Sequence, residues 1–390
     1  MANMLDYLRK FGERTFAEMP FNSIDNLILS QLSYCEYDDV SRRLPLPLKE
    51  LTGQVSYGIM EDNNKKLFRL TAGMPRFRES IAFDYVDELS ENETKQFSAI
   101  TFLLADGSAY VAFRGTDSTF IGWKEDLLLA FESPVPAQKR AREYLNNVAL
   151  TLSCPLRVGG HSKGGNLAIY ASSFCSPETR RRITDVYTND GPGFTKEVLN
   201  DPGYKELSSR IHRLIPESSF IGVLMDSDTD CTIIDSDSVS IFQHNPYTWK
   251  TEGCRFIQKP TTTMSSKLLN NSFREWLRGL DSQKLRFLSD TVFDILGAGD
   301  ARTLHDWRTN AASMVSSVQA LNRLDPEDRK RAGELLSALL NAAKAEGSAS
   351  ISKRINELSA RINDAFSKLR DDSGVSVQPP SEDKQKCDTE

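Results

Sequence analysis

Gly160-His161-Ser162-Lys163-Gly164 leaves a chain few ways to fold. Before it, Leu156 and Val158 alternate as a short buried strand would; after it, Leu167, Ala168, Tyr170 and Ala171 recur at helical spacing. A strand that enters a sharp turn and leaves as a helix holds the serine on a strained backbone, and glycines at 160 and 164 let strand and helix approach each other. The start of such a helix sets positive potential beside Ser162 Oγ, where an oxyanion would develop. The bland alternative is a glycine-rich turn with an exposed serine. Strand and helix in this order favour a nucleophile elbow.

The surrounding chain supplies a frame for such an elbow. Residues 1 to about 45 predict helices, with Ile24, Leu27, Ile28 and Leu32 forming an apolar face after the start signals Pro20 and Asn22-Ser23. Residues 46 to 80 show no clear period. From residue 81 strand signals take over, and Phe97–Leu104 and Ala109–Phe113 around Ala105-Asp-Gly-Ser108 predict a β-hairpin. The second of these strands runs into Arg114-Gly115-Thr116-Asp117. A helix bearing Trp123 and Asp126 follows, then another from Lys139 to about Leu152. Asp185–Asp190 and Ile211–Ile215 predict further strands, and Cys231–Ile234 with Val239–Phe242 predicts a final hairpin, with His244 directly after it. Strands alternating with helices call for a mostly parallel sheet covered on both faces.

Strand signals stop near residue 260. Leu268–Leu296, Thr303–Leu321 and Pro326–Ala345 predict helices. Ile351, Ile355, Leu358, Ile362, Phe366 and Leu369 make a heptad-like stripe. That stripe suits docking within its own domain, with self-association or partner binding through residues 351–369 as the other use. From Asp371 the chain is polar and proline-bearing, and a disordered tail is expected. The expected division is therefore 1–260, an α-helical extension 261–370, and a tail 371–390.

Composition excludes several classes of function. A net charge of −6 does not suit a chain that neutralises phosphates, so no nucleic-acid partner is expected. The six cysteines are scattered without a C-x-x-C pair, which gives neither a zinc site nor a disulfide framework. No metal or cofactor is called for. The charged N-terminus lacks the apolar run of a signal peptide, and no segment approaches the ~20 apolar residues of a membrane span. A cytoplasmic location is expected.

A serine nucleophile needs a base, and there are four histidines. His161 adjoins Ser162, where neighbouring side chains point apart; His212 lies inside a strand; His305 lies beyond the sheet. His244 alone follows the last strand, in the order serine, acid, histidine that this kind of site uses. The acid should come from a loop after a strand between Ser162 and His244. Glu217 after Pro216 is the favoured position, Asp190 is close behind, and Asp226, Asp228 and Asp230 form a third group. The oxyanion would be held by the backbone N–H of Lys163 and by Thr116, which offers both an N–H and a hydroxyl.

Phe113-Arg-Gly-Thr-Asp117, Trp123 with Asp126, and Gly160-His-Ser-Lys-Gly164 together resemble the class 3 lipases. Pro20-Phe-Asn22, Asp25-Asn-Leu-Ile28, Asn189-Asp-Gly-Pro-Gly-Phe194 and Gln243-His244 are more similar to a group of uncharacterised bacterial proteins related to them. The resemblance covers roughly residues 20–250. It implies an α/β-hydrolase fold, here with a C-terminal helical extension, in which Ser162 is the nucleophile and Thr116 lines the oxyanion hole. It also implies hydrolysis of a small acyl or lipid ester through an acyl-enzyme. Class 3 lipases carry an aspartate before a Val-Pro pair where this chain has Arg213-Leu-Ile-Pro216, so the acid does not carry over. The competing expectation is an inactive scaffold that binds a ligand or partner through the same fold. Acyl transfer or thioester chemistry would use the same residues.

Overall fold

An eight-stranded sheet forms the frame, with its strands in chain order from one edge to the other. The computed structural model of the chain describes residues 2–264, 266, 282–299 and 301–333. Strands β1 (Leu46–Pro47), β2 (Ile81–Ser90), β3 (Lys95–Leu103) and β4 (Ala109–Phe113) pair antiparallel. From β4 onward, β5 (Leu156–His161), β6 (Ile183–Asn189), β7 (Ile211–Pro216) and β8 (Cys231–Ile234) pair parallel. The parallel strands need crossovers, and the helices supply them.

Helices α1 (Met4–Phe11), α2 (Ser23–Leu32), α3 (Asp38–Ser41) and α4 (Glu61–Gly73) precede most of the sheet. Next come α5 (Phe120–Leu129) and α6 (Pro136–Thr151) before β5, then α7 (Lys163–Phe174) and α8 (Pro177–Arg182) before β6. Two short helices, α9 (Lys196–Leu199) and α10 (Pro202–Leu207), lie before β7. Period-two alternation divides the sheet between two cores. In β4, Tyr110 and Ala112 face one core with Leu27 and Ile28 of α2, while Ala109, Val111 and Phe113 face the other with Leu145 and Leu167. Both faces are covered, so β4 reads as a continuous apolar run. A mostly parallel sheet with helices on both faces and an elbow at the end of β5 is the α/β-hydrolase fold.

The helix start expected at Asn22 carries a capping box with Asp25, and α1 begins with another, Asn3 with Asp6. Asp25 is also fully buried against Arg76, with Nη2–Oδ2 at 2.6 Å. The Arg76 guanidinium further donates to the Met19 carbonyl at 2.9 Å, tying the N-terminal segment to the turn after α4. α4 itself and β1 occupy the stretch in which the sequence showed no period.

The expected final hairpin does not form. β8 pairs with β7, but residues 240–244 are a 3-10 turn. The free edge of β8 is taken by a later segment, with Asp235 N–H bonded to Ile257 and Lys259 N–H to Ile233. Ser236 Oγ accepts the N–H of Ser238, bending the chain away from the sheet just where the hairpin was expected to continue.

Beyond the sheet, helices span Ser282–Gly297, Leu304–Thr309 and Ala311–Asn322, the last two separated at Asn310, whose side chain caps the second. The first packs on α5, tied to it by Lys124–Asp290 at 2.7 Å, and its Leu285, Leu288 and Val292 are buried. The stripe 351–369 and the expected tail 371–390 lie outside the described residues. Among the described residues no helix is long and apolar enough to cross a membrane.

Candidate active site

The end of β5 is locked on both sides. Gly160 lies in register with Phe113 of β4, and His161 with Asn189 of β6. Ser162 then takes φ 58° and ψ −131°, a conformation an L residue adopts only where its surroundings impose it. Its N–H is held by the Asn189 carbonyl at 2.9 Å, and its carbonyl accepts the Gly165 N–H at 2.9 Å. A Cβ on Gly164 would lie 2.1 Å from the Phe113 carbonyl oxygen, so any side chain there would force β4 and α7 apart. Ser162 remains partly exposed among buried neighbours. The elbow expected from sequence has the geometry of one.

Asp190, at the end of β6, also has positive φ, 52°, and is fully buried. Its Oδ2 lies 2.6 Å from His244 Nδ1. Its Oδ1 accepts from Ser219 Oγ and from the Gly222 N–H at 3.1 Å. A carboxylate only accepts, so Nδ1 is the donor and Nε2 is the basic nitrogen of the neutral ring. Asn189, the preceding residue, donates from Nδ2 to the Gly160 carbonyl at 3.0 Å and pairs with Asn26 of α2. The ends of β5 and β6 are thereby pinned together from beneath.

Glu217, favoured for the acid position from sequence, does not meet His244. Its carboxylate turns toward Lys259 at 3.7 Å, and its backbone bonds to Ile234 and Thr263. Two residues later the chain turns inward, and Ser219 supports Asp190 instead. The carboxylate at the histidine comes from the strand next to the elbow strand, one strand nearer than expected. Asp228 and Asp230 are exposed, and the backbone of Asp226 pairs with Phe194.

His244 is oriented through its neighbours. Gln243 is buried; its Oε1 accepts the Ser218 N–H at 2.8 Å, and its carbonyl accepts Trp249 Nε1–H at 2.8 Å. His161 adds a contact the sequence did not suggest. Its Nε2 lies 2.9 Å from the His244 carbonyl, and the two rings are 4.6 Å apart. A carbonyl only accepts, so His161 carries its proton on Nε2, and Nδ1 takes the Tyr34 hydroxyl at 3.1 Å. Burial, and next the neighbouring His244, hold the His161 imidazole well below its ordinary pKa. His161 is a neutral clamp on the histidine loop. Adjacent side chains on a strand do point apart, but here the loop folds back over the far side to meet it.

Arg114-Gly115-Thr116 passes close to Ser162. A Cβ on Gly115 would lie 2.7 Å from the His161 carbonyl oxygen and 3.2 Å from Ser162 Cβ. The loop is anchored by Arg114, bidentate on Asp87 at 2.8 and 3.0 Å. Thr116 Oγ1 donates to Asp126 Oδ2 at 2.5 Å. A hydroxyl has one proton, so the donor Thr116 retains is its N–H, which narrows the sequence expectation that both were on offer. The Lys163 side chain is buried and turned away from Ser162, with Nζ 3.1 Å from Glu125 Oε2. Among the described residues no three His, Cys, Asp or Glu side chains converge as a metal site requires.

A family model described as Mbeg1-like matches residues 71–294. Among solved structures, the lipase of Rhizomucor miehei in its propeptide complex is 14% identical with a TM-score of 0.37, over 63% of this chain and 76% of that one. The M37 lipase is 14% identical with a TM-score of 0.33, over 51% of this chain and 68% of that one. No curated protein matches the chain.

Proposed function

We propose that this chain, which belongs to the Mbeg1-like family, is a serine hydrolase that cleaves carboxylic esters. The observation that carries the reading is the 2.6 Å contact between His244 and a fully buried Asp190, with both strand ends tied directly to the elbow that holds Ser162. A solvated loop histidine would have no use for such a partner. In the proposed cycle His244 Nε2 takes the proton of Ser162 Oγ as the oxygen attacks the acyl carbon. Asp190 keeps Nδ1 protonated and steadies the imidazolium that forms. The N–H groups of Lys163 and Thr116 receive the oxyanion. His244 then returns its proton to the leaving alcohol. Water, deprotonated by the same nitrogen, releases the acid and restores Ser162.

The substrate class we favour is a small acyl ester or lipid fragment. A cytoplasmic setting suits the five described cysteines, which are free thiols. The test is turnover of p-nitrophenyl esters over several acyl lengths by wild type, Ser162→Ala and His244→Ala, with fluorophosphonate labelling alongside. Activity in the wild type that both folded variants lose supports the reading. No turnover and no labelling of Ser162 refute it and leave the scaffold.

A further inference from the structure

Lys163 stands next to the proposed nucleophile, and its N–H is one of the two proposed oxyanion donors, yet its side chain is only 1% exposed. A lysine this deep is rare unless it is paired. Here Nζ donates to the Gln96 carbonyl at 2.9 Å, to Gln96 Oε1 at 2.6 Å and to Glu125 Oε2 at 3.1 Å. Glu125, fully buried on α5, also accepts the Gln96 N–H at 3.1 Å on Oε2 and the Ala137 N–H at 2.8 Å on Oε1. One ion pair thus joins the start of β3, the middle of α5 and the first turns of α6 and α7.

Stability does not require charge at this point. A buried ion pair is often matched or exceeded by apolar side chains of the same volume, because desolvating two charges offsets their attraction. What a buried pair adds is direction, since each bond fixes one angle as well as one distance. Lys163 is the first residue of α7, so fixing its side chain fixes the turn that carries its N–H. The next residue along α5 from Glu125 is Asp126, which holds Thr116. A single turn of α5 therefore grips both walls of the proposed oxyanion hole.

We propose that Lys163, Glu125 and Gln96 are positioning residues that set where the Lys163 N–H points, and through it the stabilisation of the oxyanion. This rests on the serine hydrolase reading above. None of the three side chains touches substrate.

The test compares wild type with Lys163→Met/Glu125→Gln, which removes both charges together and keeps the volume. Gln96→Met is the gentler second variant: Gln96 Nε2 has no hydrogen-bond partner, so that change removes an unpaired donor along with one acceptor. Readouts are kcat and KM on a p-nitrophenyl ester, the rate of Ser162 labelling by a fluorophosphonate, and thermal unfolding. Expected is a fall in kcat of about 10- to 100-fold in the double variant and several-fold in Gln96→Met, with KM within about threefold and labelling slowed in parallel; loss of a whole oxyanion donor would cost about 100- to 1000-fold. A merely structural role would lower the unfolding temperature and leave kcat of the folded enzyme alone. If the double variant folds and keeps kcat within about threefold, the inference is overturned; if it does not fold, an unchanged kcat in Gln96→Met overturns it. A wild type that neither turns over ester nor is labelled removes the hydrolase reading itself, and this inference with it.

Discussion

Asp190 and His244 lie 54 residues apart in the chain and 2.6 Å apart in space. The carboxylate is fully buried and saturated on its other oxygen by Ser219 and Gly222, so its geometry toward the imidazole is fixed before any substrate arrives. Asp190→Asn would keep the shape but could not hold the imidazolium or the right tautomer. Expected is a fall in kcat of about 10⁴-fold with KM little changed. Glu217→Gln is expected to stay within about twofold, since that side chain faces Lys259. Steady-state kinetics on the two variants separates the candidates, and the reverse pattern would overturn the assignment.

Thr116 tests the other side of the site. Thr116→Val removes the hydroxyl that meets Asp126 while leaving the N–H, so the loop should shift rather than lose its donor. A displacement of that order costs about 10- to 100-fold in kcat. Thr116→Ser keeps the hydroxyl and should remain within about threefold. Equal activity in both variants would show that the Asp126 contact does not position the loop.

Gly164→Ala concerns stability. The added methyl would meet the Phe113 carbonyl oxygen at 2.1 Å, and backbone on both sides leaves it nowhere to go. The expected cost is about 3 kcal/mol or more, read as a shift in the urea midpoint. A variant as stable as wild type would mean that β4 and α7 can separate more easily than their packing indicates.

His161 is expected to make folding pH-dependent. Its unfolded pKa is about 6.5, and burial holds the folded value well below that. Below about pH 6.5 the unfolded chain takes up a proton that the folded chain refuses. Its contribution to stability is therefore whole above that pH and is lost as pH falls toward the folded value, at up to about 1.4 kcal/mol per pH unit. Urea unfolding at pH 8, 6 and 5 should show a steeper acid loss in wild type than in His161→Gln. Parallel curves would mean that this imidazole is not held neutral.

The parts of this site that were legible in sequence are those fixed by short-range pattern. Gly160, Ser162 and Gly164 between a period-two and a 3.6-period stretch leave little choice, and chain order singled out His244, the histidine that the structure sets against Asp190. The carboxylate that meets His244 was not legible because the ends of β6 and β7 both offer one, and which one turns inward depends on the loop after Pro216. The rest was hidden for a related reason. Gln96 and Glu125 are ordinary polar residues until β3 and α5 meet behind the elbow, and His161 gains its role only from a loop 83 residues later. The mistaken final hairpin arose because the β8 edge was already claimed by residues 257–259.

Ser162 and Asp190 sit at the ends of neighbouring strands joined by a backbone hydrogen bond, whereas His244 hangs from a 3-10 turn fastened by Gln243, Trp249 and His161. Two of the three proposed catalytic side chains thus belong to a rigid frame and the third to a latch. In such a machine, activity and folding have separate weak points. On the proposed reading, damage to the frame is expected to cost folding first, whereas loosening the histidine turn is expected to cost activity first, since His244 is the one of the three that no sheet strand carries.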